Sequence, residues 1–301
     1  GGNLVRLLGD EPGFSLLVAG RSREKAASFC RGLPVHAELV PTAMDRDGDV
    51  AAGIAAVAPD VVVDASGPFQ GYGGDPGADP YRVARAAMAC GSHYLDLADA
   101  TGFVAGIATL DGEAKVRNVA VLSGVSSYPA LTAAAVRRLA DGLDAVDAIV
   151  AGIAPSPRAE IGPNVLRAIA SYAGKPVRYL RDGQSTVGHG LIDVRRFTIA
   201  PPGRLPLDSR RFTLVAAPDL EVLPRAWPGV RDIWTGAAAA PQSLHRALSV
   251  LAWLVRAGLL GSLATWAPVL HRVRHLARWG EHRGGMFVRI EGRKVDGAPA
   301  T

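Results

Sequence analysis

Short apolar runs alternate with amphipathic helical patterns through the first half of this 301-residue sequence. Runs rich in Val, Leu and Ala predict buried strands, and apolar residues at helical spacing predict helices between them. The predicted strands cover residues 14–20, 35–43, 60–69, 93–99 and 119–124, and the predicted helices cover residues 22–32, 49–58, 80–91, 103–118 and 129–142. Apolar strands that alternate with helices are typical of a parallel sheet covered on both faces. We therefore predict a doubly wound α/β sheet.

The pattern changes near residue 143. Residues 146–155 and 191–202 are predicted to be strands of a mixed sheet, and the loops there are long and rich in proline. The apolar stretch 248–270 is interrupted by an arginine, two glycines and a proline, so it predicts two packed amphipathic helices rather than a bilayer span. Two domains follow: an α/β domain over residues 1–142 and an α+β domain over residues 143–301.

Both ends of the sequence depart from this pattern. Residues 3–8 are predicted to be a helix with no strand before it, and residues 286–301 a final strand and turn with no closing element. The alternation predicts a strand before that helix, so we expect a chain cut at both ends.

Composition and charge narrow the class of partner. The formal net charge is +5, but the basic residues are mostly arginines spread along the chain, so we expect an anionic small molecule and no nucleic acid. Cys30 and Cys90 fall in predicted helices and indicate neither disulfides nor a metal site. His271 and His275 have metal-ligand spacing, yet no cysteine or acid accompanies them, so a solvated basic face is expected. Without a signal-peptide pattern, we expect a cytoplasmic protein.

The first predicted strand ends on a basic side chain, in the sequence AGRS (19–22). Near the tip of the second strand of a dinucleotide-binding sheet, an arginine accommodates the 2′-phosphate of NADP, whereas an acidic residue selects NAD. Arg21 lies nineteen positions after Gly2, the expected distance if Gly2 is the last glycine of the phosphate loop. Arg21 and Ser22 are therefore predicted to hold the 2′-phosphate. The alternative is a surface Arg21 beside a Ser22 that caps the next helix.

A Ser-Gly-Pro turn follows the apolar run that begins at residue 60. Such a turn presents backbone amides and lets the chain approach a ligand closely. Ser66, Gly67, Pro68 and Phe69 are therefore predicted to line the dinucleotide, and the alternative is an ordinary tight turn.

Tyr94 and Asp96 share one face of the strand predicted over residues 93–99, so both are candidates for proton transfer or substrate orientation. The alternative gives Asp96 a purely structural role, as an acceptor of backbone hydrogen bonds. Asp99, just beyond, is predicted to cap the following helix.

Three hydroxyl groups precede the helix predicted to start at Pro129. Free amides and hydroxyls at a helix N-terminus can hold an anion such as a substrate carboxylate, and the alternative is a plain cap. Ser126 and Ser127 are therefore substrate-binding candidates, and Tyr128 joins the catalytic candidates. In the second domain, Tyr172 is a further substrate-binding candidate.

Taken together and in order, these motifs resemble the saccharopine dehydrogenase-like family. The motifs are AGRSREKA (19–26), VVVDASGPFQ (61–70), GSHYLDLAD (91–99) and VLSGVSSYPAL (121–131), and residues 171–183 and 251–272 are similar to the substrate-side half of bacterial members. The resemblance implies a Rossmann domain that binds NADP(H), followed by an α/β domain that covers the cleft and often mediates dimerisation. The sequence departs from the family in its first strand and the start of the glycine fingerprint, which holds the pyrophosphate. Because that strand lies in the middle of the family's sheet, the resemblance implies two open strand edges and poor cofactor binding by residues 1–301 alone.

The resemblance implies an NADP-dependent oxidoreductase that passes a hydride between the nicotinamide and a C=N or C=O carbon of a small substrate. The alternative is a non-catalytic NADP-binding or membrane-peripheral protein that docks through the apolar helices of residues 246–270. Trp253 and Trp266 lie there among Leu and Val, a composition compatible with an interfacial helix, although a domain or dimer interface is the simpler interpretation.

Overall fold

The computed structural model describes residues 1–72, 78–159, 162–269, 272 and 282–300. The chain forms two compact units. The first unit comprises residues 1–67, 72–97 and 107–123, and the second comprises residues 68–71, 98–106 and 124–301. The sequence predicts two separately folding domains that meet between residues 142 and 143. A division into compact units does not show which segments fold separately, so that boundary remains a prediction.

Helices and strands alternate through residue 123, as predicted, with shorter bounds. They are α1 (Gly2–Leu8), β1 (Ser15–Gly20), α2 (Arg23–Arg31), β2 (Glu38–Ala43), α3 (Val50–Val57), β3 (Val61–Asp64), α4 (Arg82–Ala89), β4 (His93–Asp96), α5 (Thr101–Gly106), α6 (Asp111–Val116) and β5 (Val121–Leu122). Of these, α5 belongs to the second unit. The helix predicted over residues 103–118 is divided by a 3-10 turn at Ile107–Leu110.

All strand pairs of the first unit are parallel. β1 pairs with β2, and β3, β4 and β5 form a separate sheet in that order. One edge of β1 and one edge of β3 have no partner strand among the described residues. The predicted parallel α/β class is confirmed. The register places Asp64 beside Asp96, so β3 and β4 end at the same level.

Small residues let the helices of the first unit pack closely on its strands. The face of α4 that carries Ala84, Ala87 and Met88 is buried, and it packs in one apolar cluster with Ile54 and Tyr94. Burial of these side chains is the main favourable contribution to this core, at about 25 cal/mol for each Å² of apolar surface removed from water.

The second unit contains the remaining elements. They are α7 (Thr132–Leu139), β6 (Ala145–Ala154), α8 (Pro163–Ser171), β7 (Pro176–Arg181), β8 (Gln184–His189), β9 (Val194–Ile199), β10 (Leu207–Leu214), α9 (Asp219–Ala226), β11 (Asp232–Ala237), α10 (Gln242–Arg256), β12 (Gly285–Arg293) and β13 (Pro299–Ala300). The strands form one sheet in the order β13-β12-β6-β11-β10-β9, and β7 and β8 extend from β11. β6 and β11 are parallel and the other pairs antiparallel, so the predicted mixed sheet is confirmed.

Two paired glycines make room for the aromatic core of this sheet. Gly152 on β6 lies opposite Gly236 on β11. A Cβ on Gly152 would come within 2.2 Å of the Phe287 ring, and a Cβ on Gly236 would come equally close to Trp234. The rings of Phe287 and Phe212 pack edge to face, with centroids 5.4 Å apart.

The chain is helical from Pro129 onward, as predicted, although the first turn is irregular. A wide, π-helical turn at Ser127–Leu131 runs directly into α7. Within this turn Tyr128 is extended, with φ −119° and ψ 123°. Because Tyr128 precedes a proline, the helical region is sterically disfavoured for it.

The late apolar stretch forms α10 and, after a loop, a 3-10 turn at Leu263–Trp266. His271 and His275 lie outside the described residues. Within the described ranges, no helix is both long enough and apolar enough to cross a membrane.

Candidate functional site

Arg21 offers an uncompensated positive charge at the carboxyl end of β1. Its side chain is exposed and has no hydrogen-bond or ion-pair partner among the described residues. Ser22 forms the N-cap of α2, as the alternative interpretation predicted: its Oγ accepts from the Lys25 amide at 3.2 Å and donates to the Glu24 carboxylate at 2.8 Å. The guanidinium is thus available to an anion, whereas the hydroxyl is already engaged.

A hydrogen-bonded network holds the turn that follows β3. The buried carboxylate of Asp64 accepts from the amide and the hydroxyl of Ser66, at 2.9 and 2.5 Å. The Ser66 hydroxyl also lies 2.6 Å from the Tyr72 hydroxyl, and Tyr72 donates to the other Asp64 oxygen at 3.4 Å. The guanidinium of Arg46, which follows β2, lies 3.2 Å from the centre of the Tyr72 ring. Burial raises the pKa of the Tyr72 hydroxyl well above its usual value, so this phenol stays protonated.

The other predicted cofactor residues are packing residues in the structure. Phe69 is buried, and its ring packs on Phe103 with centroids 5.2 Å apart. Gly67 and Pro68 are half-buried beside it in sequence. Gly2 opens α1, and a Cβ there would come within 3.3 Å of the Phe29 ring, so a small residue is needed for close packing.

Tyr94 and Asp96 lie on one face of β4, as predicted, but both are buried. Their exposed fractions are 1% and 0%, and Tyr94 belongs to the apolar core of the first unit. The Ser123 hydroxyl donates to Asp96 at 2.9 Å and so ties the end of β5 to the end of β4. Burial, reinforced by the charges of Asp96 and Asp64, raises the pKa of Tyr94 far above its usual value. A phenol held so deep does not reach a substrate in this conformation.

In the second unit, Tyr172 lies near a carboxylate that the sequence did not single out for chemistry. Gln70 Nε2 donates to Asp99 Oδ1 at 2.9 Å. Burial raises the pKa of Asp99, and burial together with the Asp99 charge raises the pKa of Tyr172. Both side chains are half-buried, so each keeps some access to solvent. Asp99 and Tyr172 are therefore two acidic groups close enough to interact, and each holds its proton more tightly than the free side chain does.

The turn before α7 places its hydroxyl groups differently. The Tyr128 hydroxyl donates to the Gly236 carbonyl oxygen at 3.0 Å, and burial, with the charge of Asp219 next, raises its pKa. The hydroxyls of Ser126 and Ser127 have no hydrogen-bond partner among the residues that the structure describes, and both residues are half-buried. The two serines remain free to bind a ligand, and the tyrosine proton is already committed.

The structure therefore groups the candidates by unit. In the first unit it joins Tyr94 to Asp96, and it joins Ser66 to two groups that the sequence missed, Asp64 and Tyr72. In the second unit it places Tyr128 and Tyr172 in one apolar cluster. No group of three or more His, Cys, Asp or Glu side chains in the described ranges could hold a metal ion.

No family model matches the sequence, and no curated protein matches it. Among solved structures, the chain is similar to apo saccharopine dehydrogenase (L-Glu forming) from Saccharomyces cerevisiae, with a TM-score of 0.61 and 12% identity over 99% of this chain and 80% of the yeast chain. Biliverdin reductase from Synechocystis sp. PCC 6803, in complex with biliverdin and NADP⁺, matches at a TM-score of 0.35 and 16% identity over 80% of this chain and 70% of that one.

The likeness to the yeast enzyme establishes the fold. The resemblance to the saccharopine dehydrogenase-like family that the strand-end motifs indicated is thus confirmed at the level of fold, over nearly the whole chain. A shared fold hosts many chemistries, so the activity has to be argued from the residues themselves.

Proposed function

We propose that this protein is an oxidoreductase that uses NADP(H) and acts on a C=N or C=O group of a small substrate. The observation that carries the proposal is the Arg21 guanidinium, exposed and without a partner among the described residues, at the end of β1. An arginine at this point of a dinucleotide-binding sheet matches a 2′-phosphate in charge and in hydrogen-bonding geometry.

In this proposal the first unit holds the cofactor, which supplies the hydride when bound. Arg21 binds the 2′-phosphate through charge-assisted hydrogen bonds. Asp64 and Tyr72 fix the turn at Ser66, so that its backbone can approach a ligand without first being ordered. Ser22 acts indirectly, because its cap orients the start of α2 beside Arg21.

On the substrate side, the free hydroxyls of Ser126 and Ser127 are proposed to bind polar groups of the substrate. Asp99 and Tyr172 are proposed to supply the proton that reduction of a C=N or C=O bond requires, because burial raises the pKa of both groups and they lie close enough to interact. The buried pair Tyr94 and Asp96 then has a structural role in the first unit.

The test is a fluorescence titration of the protein with NADPH and with NADH. We expect NADPH to bind at least tenfold more tightly, a difference of about 1.4 kcal/mol, and Arg21→Ala to abolish that preference. Arg31→Ala is the matched control, because Arg31 is an exposed arginine at the other end of α2. Equal loss of preference in both variants would show a general charge effect and remove the assignment of Arg21.

A second candidate function rests on the apolar surface near α10. Trp253, Leu259 and Trp266 are more than half exposed, and the Arg256 guanidinium lies 5.2 Å from the Trp253 ring. We propose that this surface joins two copies of the chain, and the alternative is attachment to a membrane surface. Light scattering of the purified protein, together with flotation on vesicles containing anionic lipid, separates the two. A monomer that floats would favour the membrane.

A further inference from the structure

The imidazole ring of His245 has a buried nitrogen without a hydrogen-bond partner among the described residues. The residue lies in the first turn of α10 and is 3% exposed. Its Nδ1 accepts a hydrogen bond from the Ala239 amide at 2.9 Å, so in the neutral ring the proton sits on Nε2. This Nε2 has no hydrogen-bond partner in the described part of the chain. Buried donors are nearly always paired, so an unpaired one indicates a group that the protein chain does not supply.

Two further unpaired donors belong to the same region. Ser249 lies one turn after His245 on the same face of α10, and its Oγ is buried without a partner among the described residues. Arg211 is on β10, against which α10 packs, and its buried Nε is also unpaired within the described ranges. The positive charge of Arg211 acts on His245, after burial, to lower the pKa of the imidazole to about 4. Arg211 and His245 are therefore within electrostatic reach of each other.

A second arginine increases the positive charge on this face of the sheet. Arg196 on β9 is directly opposite Arg211 in the β9–β10 pair, and opposed residues of an antiparallel pair lie on the same face. Arg196 binds the Ser209 carbonyl oxygen at 3.0 Å, and neither arginine has a carboxylate partner among the described residues. Like charges directly opposite each other are unfavourable unless an anion lies between them.

We propose that Arg211, His245 and Ser249, with Arg196 at the entrance, form a binding site for a small oxyanion, namely the carboxylate or phosphate group of a small molecule. Each of the three inner residues has a free donor, and the site contains no acidic side chain, which is the composition that oxyanions require. Arg196 is exposed and Arg211 is half-buried, which gives an anion a route from solvent. The site lies wholly within the second unit and does not depend on the proposed cofactor role of Arg21.

The experiment is urea unfolding of the protein in chloride, inorganic phosphate and acetate at equal ionic strength. A ligand that binds the folded state multiplies the folding equilibrium constant by a factor. That factor is one plus the ratio of the ligand concentration to its Kd. With about 20 mM phosphate or acetate, we expect the folding equilibrium constant to be at least tenfold larger than in chloride. Response to phosphate alone identifies a phosphate site, and response to acetate alone identifies a carboxylate site. No shift with either anion would overturn the proposal and leave a buried water as the partner of the three donors.

Three variants make the result specific. Arg211→Gln should reduce the shift at least fivefold, whereas Arg210→Gln should keep it, because Arg210 lies on the opposite face of the same strand. Ser249→Ala should unfold no more easily than the wild type in chloride, because it removes an unpaired hydroxyl, yet it should bind the anion more weakly. An equal shift in Arg211→Gln and Arg210→Gln would place the anion elsewhere and contradict the assignment. The Ser249 variant keeps the test decisive if Arg211→Gln does not fold.

Discussion

We predict that Asp219 makes the free energy of unfolding fall as pH rises, which is unusual for an aspartate. The residue opens α9 and is 0% exposed, and neither carboxyl oxygen has a hydrogen-bond partner among the described residues. The nearby Thr132 hydroxyl donates to the Ser127 carbonyl oxygen at 3.1 Å instead. Burial raises the pKa of Asp219 to about 7, against smaller opposing effects of Thr132 and of its own backbone amide.

The size of the effect follows from linkage. A rise of the Asp219 pKa from the ordinary aspartate value of 3.8 to about 7 corresponds to about 4 kcal/mol in total. Because the folded state holds the proton more tightly than the unfolded state, this contribution to stability is lost as pH rises from about 4 through 7. Between pH 5 and pH 8 the free energy of unfolding should fall by about 2.5 kcal/mol on account of Asp219 alone.

The assay is urea unfolding of the wild type and of Asp219→Asn at pH 5 and pH 8, with the free energy extrapolated to water. We expect the asparagine variant to lack the fall of about 2.5 kcal/mol, because its side chain stays neutral at both pH values. Asp208→Asn, at an exposed position on β10, is the control and should keep the wild-type dependence. If Asp219→Asn loses the same stability between the two pH values as the wild type, Asp219 is not protonated in the folded protein.

Two further substitutions test the packing and the hydrogen bonding of the second unit. Gly152→Ala should lower the free energy of unfolding by about 1–3 kcal/mol, because the added Cβ would overlap the Phe287 ring. The control is Gly20→Ala, whose Cβ meets no atom within 4 Å and which should cost less stability in the same urea unfolding experiment. Tyr128→Phe should lower the free energy of unfolding by about 1 kcal/mol, because the hydrogen bond to the Gly236 carbonyl oxygen is lost. It should not change NADPH affinity in a fluorescence titration. A large loss of NADPH affinity in Tyr128→Phe would assign that hydroxyl to the cofactor instead.

The alternation of strands and helices could be predicted from the sequence because it depends on local periodicity. Ser22 also could be placed as a helix cap, since an N-cap is a local signal. The helical start at Pro129 could likewise be predicted, because proline in the first turn is a local start signal. The irregular turn at Ser127–Leu131 could not, because it depends on how Pro129 forces Tyr128 out of the helical region.

The groups that matter for chemistry depend on contacts between distant segments. Tyr72 stacks with Arg46 across 26 positions of sequence, and no local pattern marks either residue. Arg211 joins His245 only through the packing of α10 on β10, and its opposition to Arg196 depends on the strand register. A shift of that register by one residue would turn Arg211 to the other face.

The central claim, that Arg21 recognises a 2′-phosphate, is tested most directly with the nucleotide fragments that differ in this group. Calorimetric titration with 2′,5′-ADP and with 5′-AMP isolates the phosphate from the pyrophosphate and nicotinamide contacts. We predict at least tenfold tighter binding of 2′,5′-ADP in the wild type and in Arg31→Ala, and equal binding of the two fragments in Arg21→Ala. An undiminished preference for 2′,5′-ADP in Arg21→Ala would contradict the account.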